Sequence, residues 1–162
     1  MDKATVIQQL KCTHCANPDG AVEYYFYEQL DNIISWFPEK NLIHIHFGKP
    51  TWNDEITVKE AEWLRDSCLD AYKKAGHPLF AIADFSQIDD SEFPTKEAIK
   101  LYAETANHEM SAHIVCYGVS LSMKMILTLI SGISTAAAKI SFEPSMEKSM
   151  DEFAAWSKKT TK

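Results

Sequence analysis

The sequence predicts one α/β domain with a mixed, largely parallel sheet of about five strands and four helices, mainly on one face. Three observations lead to this prediction. The length of 162 residues fits a single domain. An apolar share of 46% suffices for a packed core, which excludes a chain that is disordered throughout. After residue 33, short apolar runs alternate with longer amphipathic segments, as expected for βαβ units.

The sheet is predicted to begin with a hairpin. Residues 33–37 are rich in β-forming side chains, and a Pro-Glu-Lys-Asn turn separates them from residues 42–47. In this second run, His44 and His46 alternate with apolar residues, so the histidines point to one face and the apolar side chains to the other. That alternation predicts a half-buried strand.

Helices and strands then alternate to the end of the chain. In order, the pattern predicts a helix over 54–75, a strand over 79–84, a helix over 95–110, a strand over 112–119, a helix from Ser120 or Ser122, a strand over 139–142 and a helix from Ser145. The runs 79–83 and 114–117 are apolar enough to be neighbouring central parallel strands, buried on both faces.

The domain is predicted over residues 31–157, followed by a frayed tail at 158–162. Residues 1–30 are interpreted as an N-terminal appendage that holds a C-x-x-C motif and an Asn-Pro-Asp-Gly turn. Its aromatic run at 24–27 favours a strand but leaves a helix open. That run either covers the open sheet face or pairs with a second copy of the chain, so a homodimer is one open interpretation.

Composition excludes several classes of function. A net charge of −7 argues against a protein that binds nucleic acid through its phosphates. The start of the chain lacks the apolar core of a signal peptide, and no apolar stretch has the length of a membrane span. We therefore expect a cytoplasmic protein with reduced thiols. The sequence has no G-x-S-x-G, P-loop, G-x-G-x-x-G or H-E-x-x-H motif, so it predicts no enzyme.

The element order resembles the STAS fold (sulfate transporter and anti-sigma-factor antagonist). It looks closest to small bacterial proteins described as stage-II-sporulation anti-sigma-factor-antagonist-like. Four pieces carry the resemblance: residues 42–48, residues 80–86, residues 112–119, and the ending at 140–145 with 152–156. The match spans about residues 33–157 and depends on order and patterning.

The resemblance implies a non-enzymatic regulatory module that binds a protein partner through the loop after Asp84 and the following helix. The residues it implicates in partner binding or phosphorylation are Asp84, Ser86, Asp89, Asp90 and Ser91. The antagonists carry a D-S-S-G-like motif in this loop, and here the stretch reads Asp-Asp-Ser-Glu, so only Ser91 remains as an acceptor. The plainer interpretation is a solvated loop whose acidic side chains stabilise the N-terminus of the next helix.

Another function, by analogy with related folds, is binding of a small apolar, lipid-like ligand.

A second candidate site combines Cys12 and Cys15 with His44 and His46. Two cysteines at C-x-x-C spacing can bind one Zn²⁺, and two histidines on one strand face could complete a Cys₂His₂ set if the N-terminal segment folds over that face. A redox dithiol, a zinc site shared between two chains, and unligated side chains remain alternatives. The sequence thus predicts no cofactor, with zinc as the open alternative.

Overall fold

A computed structural model describes residues 2–10, 15, 22–49, 53–88, 94–132 and 139–160 of the chain. This part of the chain forms six strands and five α-helices. They follow one another as α1 (Lys3–Gln9), β1 (Glu23–Tyr27), β2 (Asn32–Phe37), β3 (Leu42–His46), α2 (Asp54–Ala75), β4 (Leu79–Asp84), α3 (Lys96–Asn107), β5 (Ser111–Tyr117), α4 (Leu121–Gly132), β6 (Ile140–Glu143) and α5 (Met146–Thr160).

All six strands belong to one mixed sheet whose spatial order is β1-β2-β3-β4-β5-β6. The first three strands are antiparallel neighbours joined by short turns. From β3 onward every neighbouring pair is parallel, because a helix returns the chain to the same end of the sheet between successive strands. The predicted pairing of two central parallel strands is confirmed, since β4 pairs with β5.

Polar caps set the helix boundaries. The Asn53 side chain accepts a hydrogen bond from the N–H of Ile56 at the start of α2, and Gly76 ends that helix with φ of 74°. Thr95 caps α3 in the same way. Of the two serines proposed to begin α4, Ser120 accepts the hydrogen bond from the N–H of Met123.

The sheet is covered on both faces. Alternate side chains of β4 separate the two cores: Leu79, Ala81 and Ala83 face α2, α3 and α4. Phe80 and Ile82 face the opposite way, towards α5 and the N-terminal residues. Every residue from Leu79 to Ala83 is buried, as predicted for a strand with a core on each side.

The α/β class is confirmed, and the predicted numbers of strands and helices are corrected. The sheet has six strands rather than about five, because β1 pairs with β2 inside the segment interpreted as an appendage. The described residues contain five α-helices rather than four, because α1 precedes the sheet. Helices α2–α4 share one face of the sheet, as the prediction of helices mainly on one face expects, and α5 packs on the opposite face. At the C-terminus, α5 continues to Thr160, into the segment predicted as a tail.

Candidate functional site

Strand β3 divides the functional side chains between the two faces of the sheet. His44 and His46 point to one face, whereas Ile43 and Ile45 point to the other, as the alternation predicts. The strand was expected to be half-buried, and this is wrong: all five of its residues are buried. The cause is non-local, because Cys15 from the N-terminal segment lies directly over the histidines.

Cys15 and the two histidines form a compact buried cluster. Cys15 Sγ lies 3.0 Å from His44 Nδ1 and 3.3 Å from His46 Nε2. The centroids of the two imidazole rings are 3.9 Å apart. The three candidate ligand atoms all lie within 4.8 Å of one another. Cys15 is 0% exposed, His44 1% and His46 6%, so the cluster is closed to solvent.

Each histidine has a second polar partner on its other ring nitrogen. His46 Nδ1 lies 3.3 Å from Asp84 Oδ2, and His44 Nε2 lies 3.2 Å from the Tyr117 hydroxyl oxygen. Asp84 Oδ1 also accepts the backbone N–H of Ser86 at 2.9 Å. Burial by itself raises the pKa of the Asp84 carboxyl, but hydrogen bonds from His46, Ser86 and Tyr117 outweigh it and hold that pKa well below its usual range.

The register of the parallel strands assembles this row of side chains. His46 is paired with Asp84 across β3 and β4, and Asp84 is paired with Tyr117 across β4 and β5. Gly118 then lets the chain turn away with φ of 67°. A Cβ at Gly118 would lie 2.7 Å from the backbone nitrogen of Ser86, so a glycine is required where these two loops meet.

The structure brings some of the predicted site residues together, whereas others lie outside the described part of the chain. It brings Cys15, His44 and His46 together, while Cys12 lies outside the described residues. The partner-loop residues Asp89, Asp90 and Ser91 also lie outside the described part of the chain. Asp84 and Ser86 are described: Ser86 is exposed, but the Asp84 carboxylate is directed at His46.

Sequence reasoning did not identify Tyr117 as part of the cluster. The position of Tyr117 could have predicted this, because Tyr117 ends an apolar strand, as Asp84 does. The carboxyl ends of neighbouring parallel strands meet at one edge of the sheet.

A second polar group that the sequence did not reveal joins His113, Ser141 and Glu152. His113 Nε2 lies 2.7 Å from Glu152 Oε1 and 3.0 Å from Ser141 Oγ. The same ring nitrogen meets both partners. A Ser–His–acid relay uses the two ring nitrogens separately, so this group ties α5 to β5 and β6 and does not form such a relay.

The opposite face of the sheet holds an apolar cavity of about 160 Å³. It exists because small side chains occupy facing positions, notably Ala81, Ala83 and Cys116 on the sheet and Ala106 on α3. Larger apolar side chains also line the cavity: Ile43, Ile45, Phe47, Leu64, Ile126 and Leu127.

The charged and polar groups that line the cavity are paired within the protein. Both oxygens of the buried Glu60 carboxylate accept hydrogen bonds, one from Asn32 Nδ2 at 2.8 Å and one from the Tyr102 hydroxyl at 2.9 Å. Burial and the Glu60 charge hold the pKa of Tyr102 well above its usual value. Burial also raises the thiol pKa of Cys68 and Cys116 to about 12, so both are neutral at physiological pH.

No family model matches the chain, and no curated protein or solved structure is significantly similar to it. Among the described residues, no helix combines the length and the hydropathy needed to cross a membrane. The candidate sites are therefore interpreted from their own geometry.

Proposed function

We propose that the protein is a non-enzymatic binding module whose cavity takes a small apolar molecule. The observation that carries this proposal is the cavity itself, of about 160 Å³, between the sheet and α2–α4. Ligand sites are typically concave and mostly apolar. The cytoplasmic location expected from the sequence belongs to the same proposal.

Volume limits the class of ligand. A cavity of about 150 Å³ lined by apolar side chains stays dry and binds benzene or xenon. The cavity here has a similar volume and a similar lining, so it fits a molecule with one ring or a short alkyl chain. A long acyl chain needs more space, so among apolar ligands the volume favours compact ones.

The electrostatics of the lining also favour an uncharged ligand. Glu60 is the buried acid at the cavity wall, and its two oxygens accept hydrogen bonds from Asn32 and Tyr102. A cationic ligand would have to displace these contacts, which costs about 1–3 kcal/mol for each buried polar group left without a partner. An apolar ligand leaves them intact.

Toluene binding tests this proposal. At ten times its Kd, toluene should stabilise the protein by about 1.4 kcal/mol. For a domain of this size that corresponds to a rise in Tm of about 3–6 °C. Ala106→Leu fills the cavity on a helix that tolerates leucine, so we expect it to abolish the rise.

Ala155→Leu is the matched control, because it makes the same change at an exposed position of α5 on the other face of the sheet. Calorimetry with and without toluene measures all three proteins. An equal shift in the wild type and in Ala106→Leu, or no shift in any of them, would contradict the proposal. Native mass spectrometry of the purified wild type would show whether a compact molecule copurifies.

The resemblance to anti-sigma-factor antagonists supports a second proposal, in which the loop after Asp84 binds a protein partner. One observation favours it: Ser86 is exposed at the carboxyl end of β4, where the resemblance places the partner loop. Because the Asp84 carboxylate is engaged by His46, it would position this loop and not contact the partner.

Variants of Ser91 test the partner proposal. Ser91→Asp adds a negative charge beside three acids and should weaken partner binding, whereas Ser91→Ala should leave it unchanged. A pull-down from the native host with the wild type and both variants makes the comparison. A partner retained equally by all three proteins would exclude Ser91 as a switch.

A further inference from the structure

We propose that Cys15, His44 and His46 bind a zinc ion on the sheet face opposite the cavity. This inference does not depend on the proposed function, because it concerns other residues and the other side of β3. Three side chains of the types that zinc prefers lie together there, buried and with their ligand atoms within 4.8 Å of one another.

The contacts around the cluster indicate which ring nitrogen of each histidine faces Cys15. The Asp84 carboxylate only accepts hydrogen bonds, so the His46 Nδ1 that faces it carries a hydrogen, and Nε2 is the nitrogen that faces Cys15. His44 Nε2 lies 3.2 Å from the Tyr117 hydroxyl oxygen, so Nδ1 is the His44 nitrogen that faces Cys15.

One ring nitrogen of each histidine therefore faces Cys15 Sγ. The sulfur lies 3.0 Å from His44 Nδ1 and 3.3 Å from His46 Nε2, so three atoms that can bind zinc are adjacent. A metal cation placed between these three atoms would bind the sulfur and both nitrogens at the same time. With usual Zn–S and Zn–N bond lengths, tetrahedral geometry separates sulfur and nitrogen by about 3.6 Å, so only a small expansion is needed.

The partners of the histidines fit a metal site as well. Metal-bound histidines commonly donate their other ring N–H to a carboxylate or another oxygen, which fixes the ring orientation. Here Asp84 and Tyr117 are those acceptors. A sulfur and two nitrogens favour zinc over calcium or magnesium, both of which prefer oxygen ligands.

The same atoms also resemble a Cys–His–Asp nucleophilic relay, which runs through Cys15, His46 and Asp84. Two observations disfavour it. Cys15 is fully buried, so a substrate has no access to its sulfur. A relay also leaves no function for His44, which lies closer to the sulfur than His46 does. A metal ion bound to Cys15 uses both histidines as ligands, and all three residues are buried.

Metal content of the untagged protein, purified without chelator and incubated with equimolar zinc, tests the inference. After desalting, we expect about one zinc per chain in the wild type and at least a tenfold loss in Cys15→Ala. Cys68→Ala is the matched control, because it removes another buried cysteine on the opposite face and should keep the zinc. Equal zinc in Cys15→Ala and the wild type would overturn the site.

X-ray absorption at the zinc edge of the wild type gives a test that does not depend on how the variant folds. We expect at least one sulfur at about 2.3 Å and two nitrogens at about 2.0–2.1 Å. A wild type that binds no zinc, or whose zinc has only oxygen and nitrogen ligands, would overturn the proposal. Rapid alkylation of Cys15 in zinc-free protein, with no protection by added zinc, would identify a nucleophile instead.

Discussion

Removal of zinc by EDTA is expected to lower the Tm of the protein by about 8–16 °C. A ligand present at a thousand times its Kd stabilises the folded state by about 4.1 kcal/mol. Each kcal/mol changes the Tm of a domain of this size by about 2–4 °C. The effect should be this large because the metal joins Cys15 of the N-terminal segment to β3, and the unfolded chain does not preserve that arrangement.

Differential scanning calorimetry, with EDTA and again after excess zinc is restored, measures this effect. The variant His46→Gln lacks one ligand and should melt at the same temperature under both conditions. His77→Gln is the matched control: His77 is not part of the cluster, and its variant should respond to EDTA as the wild type does. A wild-type Tm that does not change with EDTA would contradict a stabilising zinc site.

Phe80→Ala should destabilise the fold by about 3–5 kcal/mol, the usual cost of removing a fully buried aromatic side chain. Phe80 is 0% exposed and lies at the centre of the core between the sheet and α5. Its ring centroid is 5.2 Å from that of Phe153 and 5.3 Å from that of Trp156. The substitution therefore leaves a cavity and removes the ring contacts with Phe153 and Trp156.

Urea denaturation of Phe80→Ala and of Phe80→Leu measures the cost. The leucine variant keeps most of the volume and should lose less than about half as much free energy of unfolding. A loss of less than about 1 kcal/mol in the free energy of unfolding of Phe80→Ala would contradict the packing of Phe80 between β4 and α5.

Local patterns were sufficient to predict most of the elements. Helix α2 has acids in its first turn, lysines in its last turn and Gly76 after it, and its predicted bounds are confirmed. Strand β4 likewise runs from Leu79 to Asp84, as its apolar run predicts. In both segments the local signals agree with the packing that the fold imposes.

Contacts between distant parts of the chain could not be predicted in the same way. The burial of His44 and His46 depends on Cys15, about thirty residues earlier in the chain. The link between His46 and Asp84 depends on the register of two parallel strands separated by a whole helix. Asp84 was therefore interpreted from the sequence as a partner contact, whereas in the structure its carboxylate faces His46.

The outer strand illustrates a different difficulty. Residues 23–27 have an aromatic run that favours a strand, but nothing local specified that it pairs with β2. Its attachment also involves side chains far along the chain, since the Tyr25 hydroxyl donates to Asp70 of α2 at 2.7 Å. The strand count consequently exceeded the prediction.

We propose two sites on one sheet: a zinc ion over the histidines of β3 and a compact apolar molecule over its isoleucines. Anomalous diffraction at the zinc edge, from crystals equilibrated with toluene, tests both sites in one experiment. We expect an anomalous peak bonded to Cys15, His44 and His46, and density for one toluene molecule beside Ile45 and Ala83. A map without that peak, in which the protein's own side chains fill the cavity, would contradict this proposal.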